Sequence, residues 1–309
     1  MHALVTGGAG FIGSHLSKEL IELGSKVTII DNLSTGRDFN VPMESDFRLI
    51  DLTTSGFTNN LPKTITHVFH LAAQSSGEIS FEDPLYDIQT NTISTLELLK
   101  WSLKNKVKKF IFASSMNVYG QVNDEPINED TIVNPESFYG VGKTASENYI
   151  KIFADLGLNS TILRLFNVYG PGQNLENLKQ GMLSIYIAYI LKNQPVLVKG
   201  SLDRFRDFVY IDDVVDSFIK SIDYNKNYDI FNICTGTRTS VREALDALFV
   251  TFKKPKYKII KKGETPRDQF GIYGSNKKAK NRLGWHPQIN LNQGLLNIYN
   301  FIKTMEKKI

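Results

Sequence analysis

Tyr139 and Lys143 stand four residues apart in the stretch Ser137–Leu156, which reads as a helix, so their side chains share one face. A free tyrosine has a pKa near ~10 and is a poor base at neutral pH. A nearby ammonium favours the phenolate and is expected to lower that pKa, which makes a Tyr-x-x-x-Lys pair a usable acid/base for hydroxyl–carbonyl chemistry. Ser114 and Ser115 follow a strand-like run, where a hydroxyl could share the proton of a reacting alcohol, although a serine there is as well suited to capping a turn.

A second constellation lies at the start of the chain. Gly7, Gly10 and Gly13 punctuate Gly7-Gly8-Ala9-Gly10-Phe11-Ile12-Gly13, directly after the run His2–Thr6 and opening a helical stretch. Gly7 suits a tight turn, Gly10 a backbone that approaches a pyrophosphate, and Gly13 a helix packed closely on a sheet. A helix start of this kind offers free N–H groups and positive dipole to phosphates. Asp31 ends the second strand-like run, where a carboxylate accepts from ribose hydroxyls and repels a 2′-phosphate, so NAD is expected over NADP. Arg37, in the same loop, could offset that bias. Asp51 and Leu52, just after the third run, are placed either to meet an adenine or, for Asp51, to cap a turn.

The elements that must position these residues alternate. Strands are predicted at His2–Thr6, Lys26–Asp31, Phe47–Ile50, His67–His70, Phe110–Ala113 and Ser160–Leu165, with helices at Phe11–Leu23, Tyr86–Leu103 and Ser137–Leu156 between them. Near-continuous apolar strands alternating with helices imply an α/β fold, a Rossmann-type doubly wound parallel sheet covered on both faces. Leu96, Leu98, Leu99 and Leu103 form an apolar stripe for the sheet or a partner subunit. Regular alternation stops after Leu165. Residues 1–166 are therefore expected to form the dinucleotide domain, and 167–309 mostly a smaller C-terminal α/β substrate lobe, from which some segments could return to the sheet. In that lobe helices are expected near Met182–Leu191, Asp212–Ser221, Val241–Thr251 and Leu291–Lys303, with a short strand near Val196–Lys199. The active cleft should open between the two parts, outside the carboxyl ends of the strands.

Bulk properties narrow the class. The 309 residues carry a formal net charge of only +4, spread along the chain, which argues against a nucleic-acid surface. No apolar run reaches the ~20 residues of a membrane span. No secretion signal is visible, and the single cysteine, Cys234, excludes an intramolecular disulfide, so a cytoplasmic location is expected. The five histidines show no metal-ligand spacing, and no metal is expected. His70 reads as a strand-end packing residue, and Trp101 and Trp285 as core or interface.

Further motifs occur in a fixed order: Asp31-Asn32-Leu33-Ser34-Thr35-Gly36, His70-Leu71-Ala72-Ala73, Ser114 to Gly120, Tyr139 to Lys143, Leu163 to Gly172, and Arg206 to Asp213. With the glycine run, they make the whole chain resemble the extended short-chain dehydrogenase/reductase family, in its nucleotide-sugar epimerase and dehydratase group. The resemblance implies that Ser115, Tyr139 and Lys143 are catalytic, Lys143 also binding the nicotinamide ribose. NAD would be held by Gly7, Gly10, Phe11, Ile12, Gly13, Asp31, Asn32, Asp51, Leu52, Leu71, Ala72 and Ala73. The nucleotide sugar would meet Ser75, Ser115, Met116, Tyr139, Asn167, Arg206 and Arg267. Where the family has Arg-x-Gly-Asp this chain has Thr265-Pro266-Arg267-Asp268, so that arginine is displaced. A homodimer built from the Tyr86–Leu103 and Ser137–Leu156 helices is also implied.

Family dehydratases carry Thr-Asp-Glu before Val-Tyr-Gly, and related decarboxylases keep the Glu. Here the residues are Ser115-Met116-Asn117, and neither Met116 nor Asn117 can act as a general acid or base. The expected reaction is therefore NAD-dependent epimerisation of a nucleotide-diphosphate sugar, a UDP-sugar at C4, through a transient keto sugar. Two rivals stand beside it. One is an NAD(P)H-dependent nucleotide-4-keto-sugar reductase using the same residues. The other is a non-catalytic NAD-binding regulator, which the presence of both Tyr139 and Lys143 disfavours. Glu78 reads as a surface charge or as a contact to the sugar. The sugar itself is left open.

Overall fold

A computed structural model describes residues 1–179, 181–254, 257–263 and 269–306. The glycine-rich turn separates β1 (His2–Thr6) from α1 (Phe11–Glu22), and β2 (Lys26–Asp31) and β3 (Asp46–Leu49) follow. After β4 (His67–His70) come a short helix α2 (Gly77–Glu82) and one long irregular helix. The latter is α3 (Pro84–Ile88), a π turn over Gln89–Ile93, and α4 (Ser94–Lys104). Then come β5 (Lys109–Ser115), α5 (Phe138–Asp155), β6 (Ser160–Leu165) and β7 (Asn167–Tyr169). The remainder comprises α6 (Met182–Leu191), β8 (Val196–Val198), β9 (Phe205–Arg206), β10 (Phe208–Tyr210), α7 (Ile211–Ile222), β11 (Tyr228–Ile233), β12 (Thr239–Ser240), α8 (Val241–Thr251), β13 (Ile259–Lys261) and α9 (Leu291–Glu306).

Seven strands form one parallel sheet in the order β11-β6-β5-β4-β1-β2-β3. The expected α/β doubly wound fold is present. Strand pleating sends alternate side chains to opposite faces. Ala3, Val5, Ile111 and Leu163 join one core with Leu16 and Leu20 of α1 and Val214 and Phe218 of α7. Leu4, Phe110, Phe112 and Ile162 join another with Leu98 and Leu99 of α4 and Ile150 of α5. Each such buried side chain contributes roughly 1.5–3 kcal/mol, so the sheet is fixed from both sides. Leu98, Leu99 and Leu103 of the leucine stripe thus pack on the sheet, Leu98 and Leu99 fully buried.

Among the departures from the sequence expectation are β11 and α2. β11 was not picked out as a strand, because it lies beyond the point where βα alternation ends, although a return of some later segments to the sheet was left open; it pairs with β6 from Tyr228 opposite Ser160 to Ile233 opposite Leu165. α2 was not predicted, and its start is capped by the Ser76 hydroxyl accepting from the Ile79 amide. Trp285 is fully buried and donates its indole N–H to the Asp213 carbonyl at 2.7 Å, a core role. His70 is buried between the Thr6 and Thr95 hydroxyls at 2.7 and 2.8 Å.

Candidate active site

The carboxyl ends of β1, β2, β4 and β5 open onto a cavity of about 770 Å³. The first of its walls is the glycine turn. Gly7 sits at φ +70°, a conformation that favours glycine, and its amide donates to the Ile30 carbonyl at 2.8 Å. A Cβ on Gly13 would run into the Gly7 carbonyl, so α1 can start this close to β1 only with glycine there. No side chain caps α1 and no acid lies in its first turn, which leaves its N–H groups facing the cavity. Asp31 closes β2 and is nearly buried; its carboxylate accepts from the Ala9 amide at 3.0 Å and the Leu33 amide at 2.8 Å. Burial pushes its pKa up, against those amide bonds.

Gly7, Gly10, Phe11, Ile12, Gly13, Asp31, Asn32, Asp51, Leu52, Leu71, Ala72 and Ala73 all line this cavity. Asp51 lines the cavity and also turns the chain, accepting from the Thr53 amide and hydroxyl at 2.8 and 2.7 Å. Burial raises its carboxyl, but the Thr53 and Asn32 hydrogen bonds outweigh this and hold it below the usual range. Thr90, which sequence reasoning did not single out, also lines the cavity, and its buried hydroxyl has no hydrogen-bond partner among the described residues. An uncapped helix start, a glycine cradle, a ribose-height carboxylate and an unpartnered hydroxyl fit a dinucleotide.

A second cavity, about 540 Å³, lies between α2, the segment after β5 and the C-terminal part. Ser75 borders both cavities. Met116, Asn167 and Arg206 line the second, and Arg267 lies outside the described residues. Arg206 is buried, its guanidinium steadied by the Phe205 and Gln269 carbonyls at 2.7 and 2.8 Å. Lys179, Lys199, Arg204 and Lys262 line the same walls, Lys179 paired with Glu82 at 2.7 Å and Lys199 with Glu78, and cations of this kind suit a diphosphate. These four were not legible in the sequence, since they are scattered over loops that only the fold gathers. Glu78 lines this cavity while pairing with Lys199 at 2.8 Å.

Ser115, Tyr139 and Lys143 are buried and are not themselves part of either cavity wall; Ser115 lies in the chain between Ala113, which borders the first cavity, and Met116, which borders the second. Ser115 caps the turn after β5, accepting from the Asn117 amide at 3.2 Å, and it hydrogen-bonds Tyr139. Lys143 donates to the Ala113 carbonyl at 3.0 Å, and its ammonium lies 5.8 Å from the Tyr139 ring centre. The expected lowering of the tyrosine pKa is not found in the chain by itself. Burial pushes the phenol up to about 12, with Ser115 opposing and Asp87 adding. Burial also pushes Lys143 down to about 8, so the ammonium that should counter it is itself weakened.

Behind Ser115, Tyr139 and Lys143 lies a buried polar network. Ser114 donates to Glu147 at 2.5 Å, and Arg164 grips both Glu147 oxygens at 2.9 and 2.6 Å. Tyr119 bridges Arg164 to Asn232 of β11. This ties β5, α5, β6 and β11 together directly beneath Ser115.

Residues 3–234 match the model of the NAD dependent epimerase/dehydratase family. The chain is 38% identical to a putative UDP-glucose 4-epimerase of Methanocaldococcus jannaschii, over 97% of this chain and 98% of that one. It is 33% identical to the UDP-glucose 4-epimerase of Mycolicibacterium smegmatis, over 98% and 99%. Its fold superimposes on the Thermotoga maritima UDP-glucose 4-epimerase with UDP-glucose at a TM-score of 0.94 and 36% identity, covering 99% of this chain and all of that one. The Thermus thermophilus UDP-glucose 4-epimerase complex with NAD gives 0.92 and 32% identity, covering 98% and 99%. With a dinucleotide cradle at the carboxyl end of a Rossmann sheet and a Ser–Tyr–Lys set beside it, the chain belongs to the NAD-dependent epimerase/dehydratase family.

Proposed function

We propose that this protein interconverts UDP-glucose and UDP-galactose by inverting C4, with NAD retained through the cycle. The observation that carries this reading is the hydrogen-bonded set behind the two cavities: Tyr139 meets Ser115, which stands between Ala113 of the first cavity and Met116 of the second, and Lys143 holds the Ala113 carbonyl. When bound, NAD supplies a reversible two-electron acceptor for the C4 carbon. Tyr139 takes the proton of the C4 hydroxyl, with Ser115 in hydrogen-bond contact, and returns it once the keto sugar has presented its other face. The positive charges of Lys143 and of the oxidised nicotinamide oppose the burial that holds the phenol protonated. Arg206, Asn167 and the cavity lysines hold the diphosphate. Met116 and Asn117 occupy the sugar side and supply no acid or base, which restricts the site to oxidation and reduction at one carbon.

The test is to incubate the purified protein with UDP-glucose, without added cofactor, and follow the sugar by proton NMR. Galacto-configured signals approaching an equilibrium mixture are expected. An NAD-loaded protein that leaves UDP-glucose unchanged but consumes NADH with a 4-keto sugar would be a reductase instead.

A homodimer belongs to the same proposal. Leu85, Ile88 and Ile93 on the Pro84–Lys104 helix and Val141, Ile152 and Leu156 on or beside α5 are exposed large apolar residues, a poor surface for water. Light scattering should return twice the chain mass of 34.9 kDa. No described helix is long and apolar enough to cross a membrane, and the lone, buried Cys234 suits the reducing cytoplasm.

A further inference from the structure

Lys143 is fully buried, and the hydrogen bond it makes to the Ala113 carbonyl does not balance its charge. Two carboxylates face it. Glu147, one turn further along α5, already holds Arg164 in a two-pronged ion pair. Asp87, at the end of α3, is 1% exposed, and the hydrogen bonds of its carboxylate come from neutral amides, among them Gln74 at 2.8 Å. Its negative charge is thus the one left to answer an ammonium.

The backbone is shaped to bring Asp87 there. Gly142, the residue before Lys143, has no side chain. A Cβ at that position would stand 3.3 Å from Asp87 Oδ1 and 3.2 Å from Asn91 Cβ, tighter than side chains normally pack. The π turn at Gln89–Ile93 follows Asp87 and is pinned to α5 on either side of Lys143. The Thr92 hydroxyl donates to the Gly142 carbonyl at 3.3 Å, and the Ser146 hydroxyl donates to the Asn91 carbonyl at 2.6 Å. Such π turns are rare and concentrate at functional sites.

We infer that Asp87 is a positioning residue for catalysis, the buried counter-charge that keeps the Lys143 ammonium protonated and in place beside Tyr139. The inference rests on the role given to Lys143 in the proposed reaction. Besides Asp87 and Glu147, the groups facing Lys143 are His70 from β4 and Tyr139 from α5, and both are neutral at pH 7. Burial drives Lys143 down, and Asp87 is the larger of the two influences that push it back.

The test uses the NAD-loaded protein, labelled with 13C at lysine Cε and titrated by NMR, with the Lys143 signal assigned through Lys143→Arg. In Asp87→Asn the Lys143 midpoint should fall by roughly one pH unit. The alkaline limb of kcat for UDP-glucose should move down with it while KM holds. A Lys143 midpoint that stays at the wild-type value would overturn the inference. If Asp87→Asn does not fold, Gly142→Ala, which displaces the carboxylate without deleting it, should move the midpoint in the same direction, and no movement there would equally overturn it. A shifted midpoint in a protein that epimerises no UDP-sugar would support the charge pairing and overturn the reaction.

Discussion

Arg37 and Glu176 meet at 2.6 Å, one from the loop after β2 and the other from the segment between β7 and α6, and both line the cofactor cavity. Arg37 also donates its amide to the Ala9 carbonyl, so it is anchored beside the glycine turn. An arginine there would ordinarily welcome a 2′-phosphate. Its engagement by Glu176 weakens that attraction and adds to the repulsion from Asp31. Glu176→Gln should therefore tighten NADP binding and leave NAD binding near wild type. The pair is solvent-exposed and worth up to about 1 kcal/mol, which limits the gain to about five-fold. Fluorescence titration of cofactor-stripped protein measures it; an unchanged NADP affinity would place the discrimination on Asp31.

Tyr139→Phe keeps the ring and removes the hydroxyl that meets Ser115. kcat should fall roughly 10²- to 10⁴-fold, the usual contribution of a positioned acid/base, while NAD stays bound and KM for UDP-glucose moves little. Near-wild-type turnover in the folded, NAD-loaded variant would remove Tyr139 from the chemistry.

Arg164→Met strands Glu147 as a buried, unpaired carboxylate and takes a donor from Tyr119. Breaking one side of a buried pair costs about 3–5 kcal/mol, so calorimetry should show a large drop in Tm. Arg164→Met combined with Glu147→Leu should recover much of it, because no charge is then left behind. Equal Tm values for the single and double variants would contradict this account.

His70 makes acid stability predictable. Its folded pKa is lowered to about 3 by burial, with the Lys143 charge adding to the effect, against about 6.5 in an unfolded chain. The fold thus favours the neutral ring. This contribution is complete above pH 6.5 and is lost as pH falls from 6.5 towards 3, at roughly 1.4 kcal/mol per pH unit. Tm should decline over that window, and a His70→Gln variant should decline less steeply. A parallel decline would shift the cause to other groups.

Much of the molecule was legible in its one-dimensional pattern. The glycine turn, Asp31 at a strand end, the apolar strands and the i, i+4 Tyr139–Lys143 pair are local features, and their geometry follows from spacing and chain stereochemistry alone. The fold class and the twelve cofactor-cavity residues follow from such local features together with the family resemblance. Tertiary structure decided what depends on distant segments. β11 lies where alternation has ended, and its place beside β6 is won by burial of Phe231 and Ile233 and by Asn232 closing the Tyr119–Arg164 network. Lys179, Lys199, Arg204 and Lys262 reach one cavity only because their loops converge. The tyrosine pKa turned opposite to the local expectation, because spacing shows that an ammonium is near but not how much water has been excluded from both groups. Asp87 shows the same limit. Desolvation and long-range charge belong to the folded volume, and no pattern along the chain records them.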